Sequence, residues 1–153
     1  MFNSIIFWGL TFLSLGGCGL ALAKGGAAER MAAGVIIANI AAGYAVKALF
    51  PPAVESFRLV NDGFAAVALL VLAVRFAAPW LGGAMFFYAA QFALHSYFLV
   101  LGVAGLTLLK AQLNNLNFFG VTFCLIAGTV VTWRRRVRNR RARAAAPSPS
   151  GAS

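Results

Sequence analysis

Titratable side chains are scarce in the long apolar segments of this 153-residue chain, and Asp62 and His95 are the two obvious acid/base candidates within them. An ionisable side chain inside a bundle of apolar helices is costly, and it usually faces a partner or a cavity. Such a pair can hydrogen-bond, bind a small polar ligand or relay protons. No nucleophile is evidently paired with either residue, so the pattern indicates a polar site without indicating a reaction.

The residues around His95 extend this polar site along one helix. Tyr88, Gln91 and His95 are spaced by three and four, which places them on one helical face. Three interpretations stay open: polar side chains that only hydrogen-bond across helices, a ligand or lipid pocket, and a proton relay. The predicted intramembrane polar cluster consists of Asp62, His95, Gln91, Tyr88, Asn39 and Asn117.

Signatures of catalysis and of metal binding were sought and are missing from the sequence. It holds no G-x-S-x-G elbow, no H-E-x-x-H motif and no phosphate-binding loop. One histidine cannot supply a zinc site with two histidines or bis-histidine haem ligation. Cys18 and Cys124 lie in apolar runs, unlike the cysteines of an extracellular disulfide framework. We expect no enzyme, no metal and no cofactor.

The elements that position the polar cluster follow from composition. The chain is 61% hydrophobic and only 10% charged, whereas soluble domains carry roughly 25% charged residues. Stretches between charges reach or approach the length of about 20 apolar residues that a helix needs to cross a bilayer. The sequence therefore predicts an all-α integral membrane bundle of five transmembrane helices, at about 5–23, 31–50, 59–78, 81–105 and 118–133.

Breakers and polar residues separate these spans. Pro51-Pro52 ends the second span, residues 79–83 read as a tight turn, and residues 106–117 as a polar connection. With these bounds Asp62 lies about 5 Å and His95 about 15 Å below the same membrane surface. The offset of about 10 Å favours a link through water or an intervening side chain over a direct pair.

The first span also has features of a signal peptide. Ala21-Leu22-Ala23 resembles a cleavage site, and Leu15-Gly16-Gly17-Cys18 resembles a lipoprotein box. A signal peptide needs a positive amino-terminal region, and the first four residues contain no Lys or Arg. We expect this helix to be retained, and four spans if it is cleaved.

Small residues indicate where helices approach each other closely. Gly17 and Ala21 are spaced by four in the first span, and Gly34, Ala38 and Ala42 repeat at the same spacing in the second. This spacing does not distinguish packing within the chain from self-association.

The basic carboxyl-terminal region orients the bundle. With the carboxyl terminus in the cytoplasm, ten Lys and Arg lie inside and three outside, as the positive-inside rule requires, and the amino terminus is periplasmic. No aromatic residue interleaves the arginines to stack bases, so no nucleic-acid partner is expected. Residues 134–153 form a cytoplasmic tail that is first basic and then, from residue 144, disordered. The residues expected to contact anionic lipid headgroups are Arg134, Arg135, Arg136, Arg138, Arg140, Arg141 and Arg143.

A family resemblance covers residues 59–100. Asn61-Asp62-Gly63, Arg75, Pro79-Trp80 and His95 resemble the middle section of small, uncharacterised multi-pass membrane proteins of alphaproteobacteria. The resemblance implies a bacterial inner-membrane location, and it carries over no activity, cofactor or site residue.

These observations favour an accessory or structural subunit of a membrane complex. A carrier or binding protein for a small ligand or lipid within the bundle is the first alternative, and a holin-like pore-forming protein is the second. The expected partners are membrane lipids, including anionic headgroups, with other membrane-protein subunits or a second copy of the chain as further candidates.

Overall fold

The architecture is a bundle of five α-helices, seen in a computed structural model that describes residues 2–102 and 108–145. Within those ranges the backbone contains no strand, which confirms the all-α prediction. A short 3₁₀ turn, Pro51–Ala53, joins the second and third helices. The helices are α1 (Phe2–Lys24), α2 (Ala27–Leu49), α3 (Val54–Phe76), α4 (Pro79–Val100) and α5 (Leu108–Ala145).

Four of the helices are long and apolar enough to cross a membrane. They are α2, α3 together with the turn before it, α4 and α5, and α1 has the same length as α2 at 23 residues. Large apolar side chains cover the outside of the bundle: Phe64 is 73% exposed and Val74 is 77% exposed. Such a surface is unfavourable in water and favourable in lipid, so the chain is a helical membrane protein.

The helices run alternately up and down, with α3 packed along α4, α4 along α5, and α1 against both α2 and α5. Leu69, Leu81 and Leu125 are fully buried between them. One end of the bundle, here called the basic end, carries Lys24, Arg30, Arg75 and the seven arginines of α5. The other, here called the cavity end, carries Lys47, Arg58 and Lys110.

Two glycines set the close approach of α4 and α5. A Cβ atom at Gly120 would overlap the ring of Phe87, and one at Gly128 would overlap the indole of Trp80. Each aromatic ring therefore lies directly over glycine backbone. Any larger residue at either position must push the two helices apart or displace the ring.

The two predicted small-residue stripes behave differently. Gly17 and Ala21 of α1 are buried, and Gly17 lies against Ile126 of α5, as expected for a packing face. Gly34 and Ala38 of α2 are exposed, Ala42 is half-buried, and a Cβ atom at Gly34 would meet nothing within 4 Å in the described chain. Helix α2 buries Ala32, Ala33 and Ile36 instead.

The predicted tight turn at residues 79–83 is wrong. The chain reverses at Ala77, whose φ of 47° lies in the left-handed region, and α4 begins at Pro79. Proline suits the first helical position, because its missing N–H would have no partner there and its φ already fits the helix. The predicted end of the fourth span near Gly105 falls outside the described residues, and α4 ends at Val100.

The predicted connection at residues 106–117 is wrong from Leu108 onward. Helix α5 runs without interruption to Ala145, through the asparagines and the arginines. Residues 108–119 contain no glycine or proline, and arginine is a good helix former. Ala144 and Ala145, predicted to be disordered, are helical, and the rest of that segment lies outside the described residues.

Candidate functional site

Asp62 and His95 are in direct contact. His95 Nε2 lies 3.4 Å from Asp62 Oδ2, and both residues are buried. The predicted difference of about 10 Å in the depths of Asp62 and His95 is wrong, because the start of α3 and the end of α4 both differ from those expected. Asp62 lies eight residues, about 12 Å, after the start of α3, and His95 lies five residues, about 7.5 Å, before the end of α4.

Asn39 of α2 joins this pair to the neighbouring helices. Its Nδ2 donates to Asp62 Oδ1 over 3.3 Å, and its Oδ1 accepts from the Tyr88 hydroxyl over 3.5 Å. The Asn61 side chain donates to the Asn39 carbonyl over 3.0 Å. Four predicted cluster residues are thus connected in one network across α2, α3 and α4.

Gln91 is a second neighbour of His95. It requires from His95 Nε2 the hydrogen-bonding role opposite to the one that Asp62 requires. Gln91 Nε2 lies 3.2 Å from His95 Nε2 and also donates to Asn114 Oδ1. An amide nitrogen only donates and a carboxylate only accepts. His95 Nε2 therefore accepts from Gln91 or donates to Asp62, but not both with one proton. The imidazole has two alternative hydrogen-bonded states at this position.

Two buried polar atoms at the centre of the site have no hydrogen-bond partner in the described part of the chain. They are Gln91 Oε1 and His95 Nδ1. Buried polar atoms in folded proteins nearly always have a partner, and leaving one without costs about 1–3 kcal/mol. These atoms mark the positions at which a bound molecule would be stabilised most.

Gln91 and His95 line a cavity of about 130 Å³, and all five helices contribute to its wall. All six residues of the predicted polar cluster line it, so the structure brings together every member that the sequence singled out. Alongside them lie polar residues that the prediction did not include. The lining consists of Thr11, Asn39, Ile40, Gly43, Tyr44, Lys47, Arg58, Asn61, Asp62, Phe87, Tyr88, Gln91, His95, Asn114, Asn115, Asn117, Phe118 and Val121.

The cationic residues of the lining are Lys47 and Arg58. Arg58 lies 3.9 Å from Glu55, which also binds the buried Lys110 over 2.7 Å. Lys47 has no acidic partner among the residues described. The only carboxyl group in the lining, Asp62, is already engaged by His95 and Asn39. The lining thus holds two cations against one carboxylate, so its net charge with a neutral His95 is positive.

The residues of the cavity lining that the predicted cluster omits follow a helical spacing in the sequence. Asn39, Gly43 and Lys47 are spaced by four along α2 and line the same cavity. Asn114 and Asn117 are spaced by three, which places them on one face once their segment is treated as helical. Assigning residues 106–117 to a connection concealed this second polar stripe.

A second polar site lies at the basic end. Buried Glu29 accepts 2.7 Å hydrogen bonds from the Gly26 N–H and from the Thr132 hydroxyl. Arg136, predicted to contact lipid, donates over 3.1 Å to the Gly25 carbonyl. These contacts fix the arginine-bearing part of α5 to the turn between α1 and α2. All seven predicted lipid-contacting arginines are exposed.

Within the described ranges, no three His, Cys, Asp or Glu side chains come together as in a metal site. Comparison of the chain with protein-family models, with curated proteins and with solved structures found no match. The fold and the site therefore give the class: an α-helical membrane protein with a polar cavity inside its bundle.

Proposed function

We propose that this protein binds a small polar ligand in the cavity beside Asp62 and His95. The observation that carries the proposal is a pair of buried atoms without a hydrogen-bond partner in the described chain, Gln91 Oε1 and His95 Nδ1, on two residues that line the cavity. Side chains that served only to hold helices together would pair with one another and leave no room. An unfilled polar cavity with unmet hydrogen bonds fits a binding site better.

The lining limits the chemistry of the ligand. Asn115 and Asn117 face the cavity with amide groups that make no hydrogen bond within the described chain, and Lys47 adds a cation. These donors suit an anionic or acceptor-rich group. The cavity is close in size to the cavity of about 150 Å³ that holds one benzene. The part of the ligand inside it is therefore small.

The proposal places the site in the periplasmic half of a bacterial inner membrane. The basic end holds ten Lys and Arg and the cavity end three, which supports a cytoplasmic basic end under the positive-inside rule. The resemblance over residues 59–100 supports the inner membrane. In this orientation α1 is a fifth span, the amino terminus is periplasmic and the carboxyl terminus is cytoplasmic.

Two glycines of α2 provide a matched pair of variants. A Cβ atom at Gly43 or at Gly34 would meet nothing within 4 Å, so both positions accept a side chain without a clash at Cβ. Gly43 lines the cavity, whereas Gly34 is exposed on the outside of the bundle. Gly43→Leu therefore fills the cavity, and Gly34→Leu makes the same chemical change away from it.

Native mass spectrometry of the full-length protein released from membranes tests the proposal. Wild type and Gly34→Leu should each carry one bound non-protein mass, and Gly43→Leu should carry none at an unchanged melting temperature. A wild-type protein with no bound mass contradicts the proposal, as does a mass that Gly43→Leu retains.

One observation favours a role as an accessory subunit as a second candidate. Gly34, Ala38, Ala41 and Ala45 are all exposed on one face of α2, and such a face permits close approach of another helix. Co-purification in mild detergent tests this role. A partner that accompanies wild type and Gly43→Leu but is lost in Gly34→Leu supports it, and absence of any stoichiometric partner contradicts it.

A further inference from the structure

We propose that the ligand is a phospholipid, with its phosphate between Lys47 and Arg58 and an acyl chain between α2 and α3. This inference rests on the proposed function and specifies the class of ligand. It combines the cavity with a second space in the bundle, the α2–α3 groove. The apolar part of the groove's lining consists of Val35, Ala38, Ala42, Phe64, Ala65 and Ala68.

The polar cavity and the apolar groove are neighbours in the bundle. Asn39 and Asn61 line both of them, so these two residues mark the boundary between a wet and an apolar compartment. The groove has a volume of about 290 Å³, and four of its eight lining residues are alanines. It opens on the outer surface of the bundle, where Phe64 is 73% exposed. A molecule that fills both spaces must have a polar head and an apolar chain.

The order of the two spaces along the membrane normal matches that of a lipid. Lys47 lies eight residues, about 12 Å, beyond Asn39 towards the cavity end, which is the headgroup side. From Ala42 to Val35 the groove extends about 10 Å in the opposite direction, towards the membrane centre. A lipid in the leaflet at the cavity end has its phosphate outside and its chains inside, in the same order.

Charge at the cavity end favours a phosphate head over a cationic one. Lys47, Arg58 and Lys110 lie at this end with two carboxylates, Glu55 and Asp62, which leaves an excess of one positive charge in this group. A phosphodiester carries one negative charge and several acceptor oxygens, and it forms strong charge-assisted bonds with lysine and arginine.

The unbonded amide groups of Asn115 and Asn117 provide further donors for the same head. A cationic head would be repelled by Lys47 and Arg58 and would leave these amide donors without acceptors. A free phosphate ion could use the same donors, but it would leave the α2–α3 groove empty. The apolar groove beside the cavity is what favours the lipid.

Native mass spectrometry with three added probes tests the head and the chain separately. The probes are phosphatidylglycerol, a diacylglycerol with the same chains, and inorganic phosphate, each added to delipidated full-length protein. We expect one phosphatidylglycerol to bind at least about tenfold more tightly than either of the other two, because each lacks a set of contacts. Equal binding of phosphate and phosphatidylglycerol overturns the inference.

Single variants test the contact with the phosphate and the contact with the acyl chain separately. Lys47→Gln should weaken phosphatidylglycerol binding about tenfold through loss of a charge-assisted contact. Ala42→Phe should abolish binding by filling the groove. Ala38→Phe blocks the same groove from an exposed position and replaces Ala42→Phe if that variant fails to fold. Val74→Phe, on the exposed face of α3, is the control and should bind as wild type does.

These outcomes separate this inference from the proposed function. A bound mass that Gly43→Leu loses and both groove variants retain overturns the lipid inference, and the proposed function stands. Loss of phosphatidylglycerol in the groove variants and in Gly43→Leu supports both. No bound mass in any form of the protein overturns both. A second protein copy bound in the groove in place of lipid overturns the lipid inference alone.

Discussion

His95 of α4 lies with its Nε2 3.4 Å from Asp62 Oδ2 of α3, and the same nitrogen lies 3.2 Å from the amide nitrogen of Gln91. The two neighbours require opposite hydrogen-bonding roles from one atom. The imidazole can therefore hydrogen-bond through this nitrogen to one of them, and the other is left without that bond. A ligand that bonds to His95 or to Gln91 selects between the two states, which links occupancy of the cavity to the contact between α3 and α4.

The first prediction concerns the charge on Asp62. Asp62→Asn preserves the shape of the side chain and the contact with Asn39 but removes the carboxylate facing His95. We expect the free energy of unfolding to fall by about 1 kcal/mol, as for other hydrogen bonds between membrane helices. Phosphatidylglycerol should bind more tightly, because the cavity loses a negative charge. Unfolding in detergent and native mass spectrometry measure the two effects. Weaker binding in Asp62→Asn would contradict an anionic head, since a ligand that needs this carboxylate is not an anion.

The second prediction concerns the packing of α4 on α5. Gly128→Ala places a methyl group inside the indole of Trp80, and we expect it to cost about 1–3 kcal/mol of stability. Gly16→Ala, at an exposed position with open space around it, is the matched control and should be neutral or slightly stabilising. The double variant Gly128→Ala, Trp80→Leu should recover part of the loss. Equal stability of the two single variants would contradict the close approach.

The third prediction concerns access of water to the cavity. In a background with Cys18→Ala and Cys124→Ala, Asn115→Cys should react with a small charged thiol reagent because residue 115 lines the cavity. Phe123→Cys, at a position 62% exposed on the outside of the bundle, should face lipid and react slowly. Mass spectrometry of the labelled protein measures both rates. Equal rates would mean that the cavity is closed to water.

The fourth prediction concerns orientation. Reporter fusions after Phe50, at the cavity end, and after Ala145, at the end of α5, should report the periplasm and the cytoplasm respectively. The fusion after Ala145 retains all seven arginines and so preserves the charges that orient the bundle. The same side at both positions, or the reverse assignment, would contradict the proposed topology.

Much of the fold could be predicted from the sequence because helix number depends on apolar length. The apolar runs and Pro51-Pro52 suffice to separate the helices. The helix ends could not be predicted in this way, since a helix may extend beyond the apolar run. Helix α5 does so at both ends, at Leu108 and at Ala145. The predicted separation of Asp62 and His95 failed because α3 begins five residues earlier, and α4 ends five residues earlier, than the apolar pattern indicated.

The candidate site was predictable to the extent that polar residues shared a helical face. Tyr88, Gln91 and His95 satisfied that condition, and all three line the cavity. The predicted cluster omits Lys47 and Arg58, because nothing in one sequence shows which neighbouring helices enclose them. Their place in the cavity wall depends on how all five helices pack.

The most direct test of a ligand-binding cavity is a high-resolution experimental structure of the full-length protein prepared from its native membrane. The account predicts non-protein density in the cavity within about 3 Å of Gln91 Oε1 or His95 Nδ1. A cavity that contains only water contradicts the account. So does a structure in which both atoms hydrogen-bond to protein groups and side chains fill the space between the helices.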